Sequence, residues 1–432
     1  MIEIAARSDA STGVQATLAF LRDVFAGYPL DFAVRLWDGT VWGPDDGREP
    51  RFTIVLRHPG AVRAMFWPPG ELTVSEAFVY DDFDVEGNLE AVFPLGDHLL
   101  AREPGVAERL RAMRRLHALP SGKKARMGRQ RAQLHGRRSS LERDRQAISY
   151  HYDVSNEFFA LWLDPTMTYS CAVFASPTDE LDSAQQRKLD YVCRKLRLRP
   201  GERLLDIGCG WGGLVMHAAR RYGVEAVGVT LSRNQAELAS HRIVEAGLAD
   251  RCRIECRDYR ELDEPEGFDK LVSLGMFEHV APDALEDYFR HARRQLRAGG
   301  VFLAHGIAGS PTAPPRSGPT FLDSYVFPDH GVVPVSTMLT AAERAGFEPR
   351  DLESLREHYA LTLRRWRERL EARRDEAVRV TDEAVYRIWR LMFAGSAYRF
   401  DKGHANVYQA LLGKPDAHGA TRVPLSRADW YV

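Results

Sequence analysis

Residues able to do chemistry are densest in a glycine-rich stretch, DIGCGWGG, at residues 206–213. Asp206 precedes four closely spaced glycines, Gly208, Gly210, Gly212 and Gly213, and the first, second and fourth of them match G-x-G-x-x-G. Glycines at this spacing allow a backbone to approach a ligand closely. A nicotinamide dinucleotide site has similar glycines, but it also needs an acidic residue about 20 residues later to hold a ribose. That place reads GVTLS, residues 228–232, so the nicotinamide interpretation lacks its carboxylate.

Cysteine is the second reactive residue type to consider. TYSCAVF, residues 168–174, places Cys171 between hydroxyl and apolar side chains, where it is a candidate nucleophile, metal ligand or pocket-wall residue. The five cysteines are odd in number and irregularly spaced, which argues against a disulfide framework and fits a reducing cytoplasm. Cys252 and Cys256 have no second Cys or His pair close by in sequence, so we expect no metal site.

Alternating apolar and amphipathic runs predict the elements that hold the glycine stretch. Five runs resemble buried strands: ERLLDIG, VEAVGVTL, CRIECRDY, FDKLVSLG and GVFLAHGI. Helical patterns separate several of them, including GGLVMHAARRYG and RNQAELASHRIVEAG. This alternation predicts an α/β fold with a doubly wound, Rossmann-like sheet. Such sheets bind ligands at the carboxyl ends of their strands.

Composition divides the chain into three predicted parts. Residues 1–108 mix a helical start with strand-like runs, among them ELTVSEAFVY at residues 71–80, and predict a small α+β domain. Residues 109–145 form a basic linker or strap with thirteen Lys and Arg against Glu142 and Asp144. Residues 146–432 contain the α/β pattern. The strap is interpreted either as a solvated linker or as a segment attracted to anionic lipid headgroups.

Overall charge and hydropathy exclude some function classes. The formal net charge of −1 gives the 432-residue chain no general attraction to nucleic acid. The strap lacks the interleaved aromatic residues that stack on bases, so no nucleic-acid partner is expected. The first residues do not have the pattern of a secretory signal, and no apolar run approaches the roughly 18 residues of a membrane-spanning helix.

Five ordered stretches resemble the cyclopropane-fatty-acyl-phospholipid synthase family, with mycolic acid cyclopropane synthases as close relatives. They are YHYDVSNEFFALWLDPTMTYSCAVF (150–174), LLDIGCGWGG (204–213), GVTLSRNQAELA (228–239), SLGMFEHV (273–280) and LAHGI (303–307). The resemblance runs from about residue 146 to 413, and the first hundred residues resemble the extra N-terminal domain of full-length bacterial members. The acidic residue before Gly-Cys-Gly is also typical of S-adenosylmethionine-dependent methyltransferases.

The resemblance implies methyl transfer from S-adenosylmethionine to a cis double bond in an unsaturated phospholipid acyl chain. Attack leaves a carbocation that water would trap, so the site must be dry, and aromatic faces can stabilise the cation. A base must then remove a proton. In the family this base is a bound bicarbonate, and its shell falls here on Cys171, Glu278, His305, the backbone of Ile307, and Tyr359.

The cofactor positions implied by the resemblance lie on four stretches of the sequence. They are Tyr169, Ser170, Asp206, Gly208, Gly210, Gly212, Thr230, Leu231, Ser232, Gln235, Asp258 and Tyr259. One departure is Tyr259-Arg260, where relatives have Trp-Glu. Another is Ser396, which stands where some bacterial members have a cysteine, so a nucleophile at that position is not available.

Several alternatives remain at this point. Ring closure gives a cyclopropane, whereas a hydride shift before proton loss gives a methylene product, the precursor of a methyl branch. A reductase partner is expected only for the methylene product. A soluble small-molecule methyltransferase and a non-catalytic lipid-binding protein are the other function classes. The expected location is the cytoplasm, peripheral to the inner face of the membrane, and a homodimer is left open. Residues 309–334, rich in Pro and Gly, are either a lid or a surface insertion.

Overall fold

The computed structural model describes residues 2–101, 105–122, 125–152, 154–312 and 320–431. Lys123 and Lys124 of the strap, and residues 313–319 of the predicted lid, lie outside the described residues. The chain divides into two compact units. The first comprises Met1–Arg131, Ser317–Tyr325 and Asp382–Tyr398, and the second comprises Ala132–Arg316, Val326–Thr381 and Arg399–Val432.

The first unit opens with a helix and contains a four-stranded sheet. Its elements are α1 (Ile2–Val24), β1 (Ala33–Arg35), β2 (Val41–Trp42), β3 (Phe52–Leu56), α2 (Ala61–Phe66), α3 (Glu71–Val79), β4 (Phe83–Gly87), α4 (Phe93–Ala101) and α5 (Val106–Ala118). The strand order is β2-β1-β3-β4, with β1 parallel to β3 and the other pairs antiparallel. This unit has its own apolar core.

One strand prediction in this unit is wrong. Glu71–Val79 of this stretch form helix α3, and a strand follows at β4. The β-branched and aromatic residues of ELTVSEAFVY suggest a strand, but Val74, Ala77 and Phe78 also have the i, i+3, i+4 spacing of a helix face. Glu71 in the first turn suits the positive end of a helix dipole.

A buried carboxylate on α3 binds part of the strap to the first unit. The Glu76 side chain is 3% exposed, and it pairs with Arg126 at 2.9 Å and Arg131 at 2.5 Å. The hydroxyl of Tyr325 also donates to it, at 2.7 Å. These contacts lower the pKa of Glu76 against the effect of burial. Arg126 and Arg131, two cations of the predicted strap, therefore have a structural role in the first unit.

The second unit contains the predicted sheet. Its elements, with two helices of the first unit between them, are α6 (Leu141–Tyr152), α7 (Asn156–Ala160), α8 (Leu181–Leu196), β5 (Arg203–Ile207), α9 (Gly213–Tyr222), β6 (Glu225–Thr230), α10 (Arg233–Glu245), β7 (Cys252–Cys256), β8 (Phe268–Leu274), α11 (Leu285–Gln295), β9 (Leu296–Gly309), α12 (Phe321–Tyr325), α13 (Val335–Arg344), β10 (Glu348–Ser354), α14 (Arg356–Ala372), α15 (Arg374–Val380), α16 (Glu383–Asp401) and β11 (Ala405–Gly413). The short α12 belongs to the first unit, and α16 begins there.

The seven strands of this sheet follow the order β10-β11-β9-β8-β5-β6-β7. Strands β5 to β9 are parallel, and β11 is antiparallel to both of its neighbours. All five strands predicted in this part of the sequence form, so the doubly wound α/β class is confirmed. Both faces are covered: Leu204 packs in one apolar cluster, and Leu205, on the opposite face, packs in the other.

Helix α16 connects the two units through the chain itself. Its Arg387 is 2% exposed and donates to the backbone carbonyls of Phe78 and Phe83, each at 2.7 Å. It also pairs with Asp84 at 3.1 Å. The last residues of the helix, from Arg399 onward, belong to the second unit. The predicted division at residues 108 and 145 does not include this return of the chain to the first unit.

Candidate active site

The glycine stretch forms one wall of a cavity of about 160 Å³ in the second unit. It connects β5 to α9, and Gly208, Gly210 and Gly212 have φ of 82°, 54° and 77°. L-residues rarely adopt such φ values, so glycine is required at these three positions. Gly208 and Gly210 line the cavity, and a Cβ at Gly210 would meet nothing within 4 Å. Gly212 lies just before α9 and does not line it.

Asp206, the last residue but one of β5, also lines this cavity. Its side chain is 2% exposed, and its Oδ1 atom is buried without a hydrogen-bond partner. Burial raises the pKa of Asp206 to about 7, while the nearby Lys188 lowers it. An unpartnered buried carboxylate oxygen is costly, so its position favours a ligand that brings a donor.

Six more of the predicted cofactor residues lie at or after the ends of β6 and β7. Thr230, Leu231 and Gln235 line the cavity, and the Thr230 hydroxyl donates to Gln235 Oε1 at 2.8 Å. Ser232 does not line it. Its Oγ instead accepts from the backbone N–H of Gln235 and caps α10.

Asp258 and Tyr259 lie in the cavity wall after β7. The Asp258 carboxylate is fully buried and accepts from the guanidinium of Arg260 at 2.7 and 2.8 Å. Arg260 also donates to Asp144 at 2.8 Å, and Asp144 itself lines the cavity from α6. Arg260, where the sequence departs from the family pattern, is therefore part of the cavity wall and lies between two carboxylates.

Tyr169 and Ser170 lie between the large cavity and a smaller one of about 60 Å³. The two cavities share six wall residues: Tyr152, Tyr169, Ser170, Gly275, His279 and Phe327. The ring of Tyr169 packs against Trp162 and Trp366, with centroids 5.4 and 5.2 Å away. The segment that contains TYSCAVF therefore lines both cavities.

All five residues predicted for the anion shell line the smaller cavity: Cys171, Glu278, His305, Ile307 and Tyr359. Glu278 follows β8 in a short 3-10 turn, and His305 lies within β9, in register with Leu274. Glu278 Oε2 and His305 Nδ1 are both buried without hydrogen-bond partners. The fold thus brings together predicted site residues from four separate stretches of the sequence.

Burial sets the protonation of this cavity. It raises the pKa of Glu278 to about 7, partly offset by hydrogen bonds from the backbone of Glu278 itself and of Ile307. It lowers the pKa of His305 to about 3, helped by the charges of Lys188 and Lys195, so this imidazole is neutral. Glu278 can therefore exchange a proton near neutral pH, while His305 can donate one hydrogen bond and accept another.

Cys171 and Tyr359 complete the smaller cavity. Cys171 is 1% exposed, and its thiol donates to the carbonyl of Ala172 at 3.3 Å. Burial raises its pKa, which keeps it a thiol and makes it a poor nucleophile. Tyr359, near the start of α14, packs edge-to-face with Phe400 at 4.8 Å. Burial raises the Tyr359 pKa as well, so its hydroxyl stays protonated.

Lys188 is a cavity-wall residue that was not predicted from the sequence. It lies on α8, is fully buried, and donates to Ser170 Oγ at 2.9 Å. Burial lowers its pKa to about 8. A signal was present in the sequence, because Gln185 and Lys188 fall on the same helix face as the apolar Leu181, Ala184 and Val192.

A family model described as mycolic acid cyclopropane synthetase matches residues 139–410. The chain belongs to this family. A probable fatty acid methyltransferase of Pseudomonas putida is 40% identical to it over 96% of this chain and 100% of the relative. A second probable fatty acid methyltransferase, from Mycobacterium tuberculosis, is 34% identical over 95% of this chain and 97% of the relative.

Solved structures of the family match part of the chain. A Mycobacterium tuberculosis cyclopropane synthase aligns with a TM-score of 0.59 at 34% identity, covering 62% of this chain and 97% of that one. A mycolic acid cyclopropane synthase complexed with SAH (S-adenosylhomocysteine) and CTAB aligns equally well. The predicted family and enzyme type, an S-adenosylmethionine-dependent methyltransferase of the cyclopropane synthase type, are confirmed.

The residues that line the larger cavity fit S-adenosylmethionine. Gly208 and Gly210 have positive φ, and there is open space beside Gly210. Asp206 lines the cavity, and its Oδ1 atom has no hydrogen-bond donor within the protein. The cofactor's amino acid part carries an ammonium that would supply that donor. Hydroxyl and amide groups of Thr230 and Gln235 occupy the place where a dinucleotide site would have its ribose carboxylate.

Proposed function

We propose that the protein transfers a methyl group from S-adenosylmethionine to the cis double bond of an unsaturated phospholipid acyl chain and closes it to a cyclopropane. One observation carries the proposal. The glycine-loop cavity and the cavity that contains Glu278 and His305 share one wall. A methyl donor and a proton acceptor would therefore lie next to the same reacting carbons. The names of the relatives, fatty acid methyltransferases and cyclopropane synthases, support this substrate class.

The chain contributes position and a dry environment. When bound, S-adenosylmethionine supplies an electrophilic methyl group. An alkene is a weak nucleophile, so alignment supplies much of the acceleration. The aromatic side chains of Tyr152, Tyr169 and Tyr359 line the smaller cavity and exclude water from a cationic acyl chain.

The smaller cavity also fits a small anion, and we propose bicarbonate. Neutral His305 and the protonated hydroxyl of Tyr359 are donors, and the unpartnered His305 Nδ1 shows that the hydrogen-bonding capacity of the cavity is not satisfied within the protein. Bicarbonate supplies a base when bound. Glu278 Oε2, with the pKa of its carboxyl near 7, is the protein group that can hold the removed proton.

The methylene product is the second outcome of the same chemistry. It requires a hydride shift before the proton leaves, and it alone would call for a reductase partner. Both products need an unsaturated lipid, so we propose that the enzyme works peripherally at the inner face of the membrane in the cytoplasm. The structure has no helix, among its described residues, that is long and apolar enough to cross a bilayer.

The test uses the full chain, methyl-labelled S-adenosylmethionine and vesicles of dioleoylphosphatidylglycerol. We expect label in the acyl chains, with cyclopropane and methylene products separated by chromatography because their masses are equal. Vesicles of the saturated lipid are the control. Normal cofactor binding without transfer to the unsaturated lipid would contradict the proposal, and transfer to a soluble amine instead would indicate a small-molecule methyltransferase.

A further inference from the structure

Helix α5 carries an apolar stripe that faces solvent. Val106, Leu110 and Met113 are 76%, 50% and 42% exposed, and they follow one another at spacings of four and three residues. Residues at this spacing lie on one face of a helix. Elsewhere among the described residues, the large exposed apolar side chains do not repeat in this way within one helix.

Arginines stand on both sides of the stripe. At 100° per residue, Arg109 and Arg114 lie about 60° and 80° from Val106 in opposite directions. The whole helix has four arginines and one acidic residue, Glu108, so its formal charge is +3 from 4 − 1. Long arginine side chains can lie along an apolar surface and keep their charge at a polar boundary.

The C-terminal end of α5 anchors it to the protein. Leu116 is 5% exposed and Leu119, directly after the helix, is 4% exposed, and both belong to the apolar core of the first unit. The helix is therefore held at this end, while the side chains of Val106, Leu110 and Met113 remain exposed. A fixed amphipathic helix with an apolar stripe and flanking cations has the pattern of an interfacial membrane helix.

We propose that α5 is the surface by which the enzyme docks on a bilayer containing anionic phospholipid. The inference builds on the proposed function, because it names the partner that presents the substrate. The charge pattern favours this occupant over a second copy of the chain, since two such faces would bring Arg109 and Arg114 against like charges. An anionic headgroup layer instead attracts the arginines and admits the stripe between them.

The test is sedimentation of the full chain with vesicles of equal parts dioleoylphosphatidylglycerol and dioleoylphosphatidylcholine. The double variant Leu110→Gln/Met113→Gln removes the stripe, and Val41→Gln is the matched control because Val41 is 61% exposed in the same unit but outside α5. We expect the double variant to bind about tenfold more weakly, from the apolar area it no longer buries, and the control to be unchanged.

Charge is tested separately. Arg109→Gln/Arg114→Gln should weaken binding to the same vesicles and reduce its dependence on salt, whereas Arg22→Gln, at an exposed site on α1, should not. Equal binding of the wild type and the double stripe variant would overturn the proposal. So would a protein dimer that the stripe substitutions dissociate while vesicle binding stays normal.

The two proposals fail in different ways. Methyl transfer to vesicle lipid that is the same in wild type and in the stripe variant would remove α5 from the docking surface and leave the proposed function standing. Vesicle binding that depends on the stripe, without any methyl transfer by the wild type, would support the docking surface and contradict the proposed function.

Discussion

Replacing Lys188 by methionine should weaken binding of the cofactor's amino acid part while leaving the nucleoside part alone. The Lys188 ammonium is fully buried, donates to Ser170 Oγ at 2.9 Å and lowers the pKa of Asp206. A methionine side chain would keep the apolar stem but remove the charge. Ser170 would then lose its donor, and Asp206 would become harder to ionise.

The magnitude follows from the ionisation of Asp206. The Lys188–Ser170 hydrogen bond lies within the protein, so its loss does not enter the binding constant directly. If the pKa of Asp206 rises by roughly one to two units from about 7, the ionised fraction at pH 7 falls roughly 5- to 50-fold. We therefore expect SAH to bind about 5- to 50-fold more weakly at pH 7.

The pH dependence has a defined sign. The pKa of Asp206 is raised to about 7 in the folded protein, so the carboxylate that a ligand ammonium needs is gained as pH rises through that value. Removing Lys188 moves this transition to higher pH. The affinity deficit of the variant should therefore be largest near pH 6 and shrink by pH 9.

The assay is calorimetric titration with SAH and with methylthioadenosine, which has the same nucleoside but no amino acid part. Lys195→Met is the matched control, because Lys195 is a second buried lysine on α8 that pairs with Glu353 and lines neither cavity. The reasoning would be refuted by equal losses for the two ligands, or by the same selective loss of SAH in the control.

Three further predictions concern the smaller cavity. Glu278→Gln should leave SAH affinity near normal and lower turnover at least tenfold, because general acid–base groups typically contribute that much or more. It should also abolish the wild-type rise in rate through about pH 7. An unchanged pH–rate profile would remove Glu278 from the proton path. Gly306→Ala should also lower turnover with little change in SAH affinity, because the added Cβ would lie against Glu278 Oε2 and 2.5 Å from the Phe277 ring. Gly309→Ala is the control and should stay active, because its added Cβ would lie 3.4 Å from the nearest atom. Similar rates in the two variants would contradict the packing argument. Cys171→Ser should retain measurable activity, since its buried thiol is not ionised, and complete loss with normal SAH binding would restore the nucleophile interpretation.

The sequence predicted the sheet well because its strands are buried on both faces and read as continuous apolar runs. The glycine stretch was predicted for a related reason: its positive φ values leave few alternatives to glycine. The strand predicted at residues 71–80 is wrong because α3 contains residues favoured in strands. The burial of its Glu76 is explained by the ion pairs with Arg126 and Arg131.

Within the site, the family pattern located residues but not their partners. Ser232 fits both a ligand contact and the S-x-x-Q pattern of a helix cap, and the structure shows the cap. Asp144 was counted only as an acid opposing the strap, because its contact with Arg260 spans more than a hundred residues. Lys188 was missed because a lysine in an amphipathic helix usually faces water.

The return of the chain in α16 limits how this enzyme can be divided. A fragment starting at residue 132 would retain the seven-stranded sheet, but Arg387 would lose the Phe78 and Phe83 carbonyls and Asp84. Tyr325 would likewise lose Glu76. The first unit therefore cannot be removed by an N-terminal truncation alone. A deletion would also require redesign of residues 317–325 and 382–398, and an exchange between relatives would have to include all three segments of this unit.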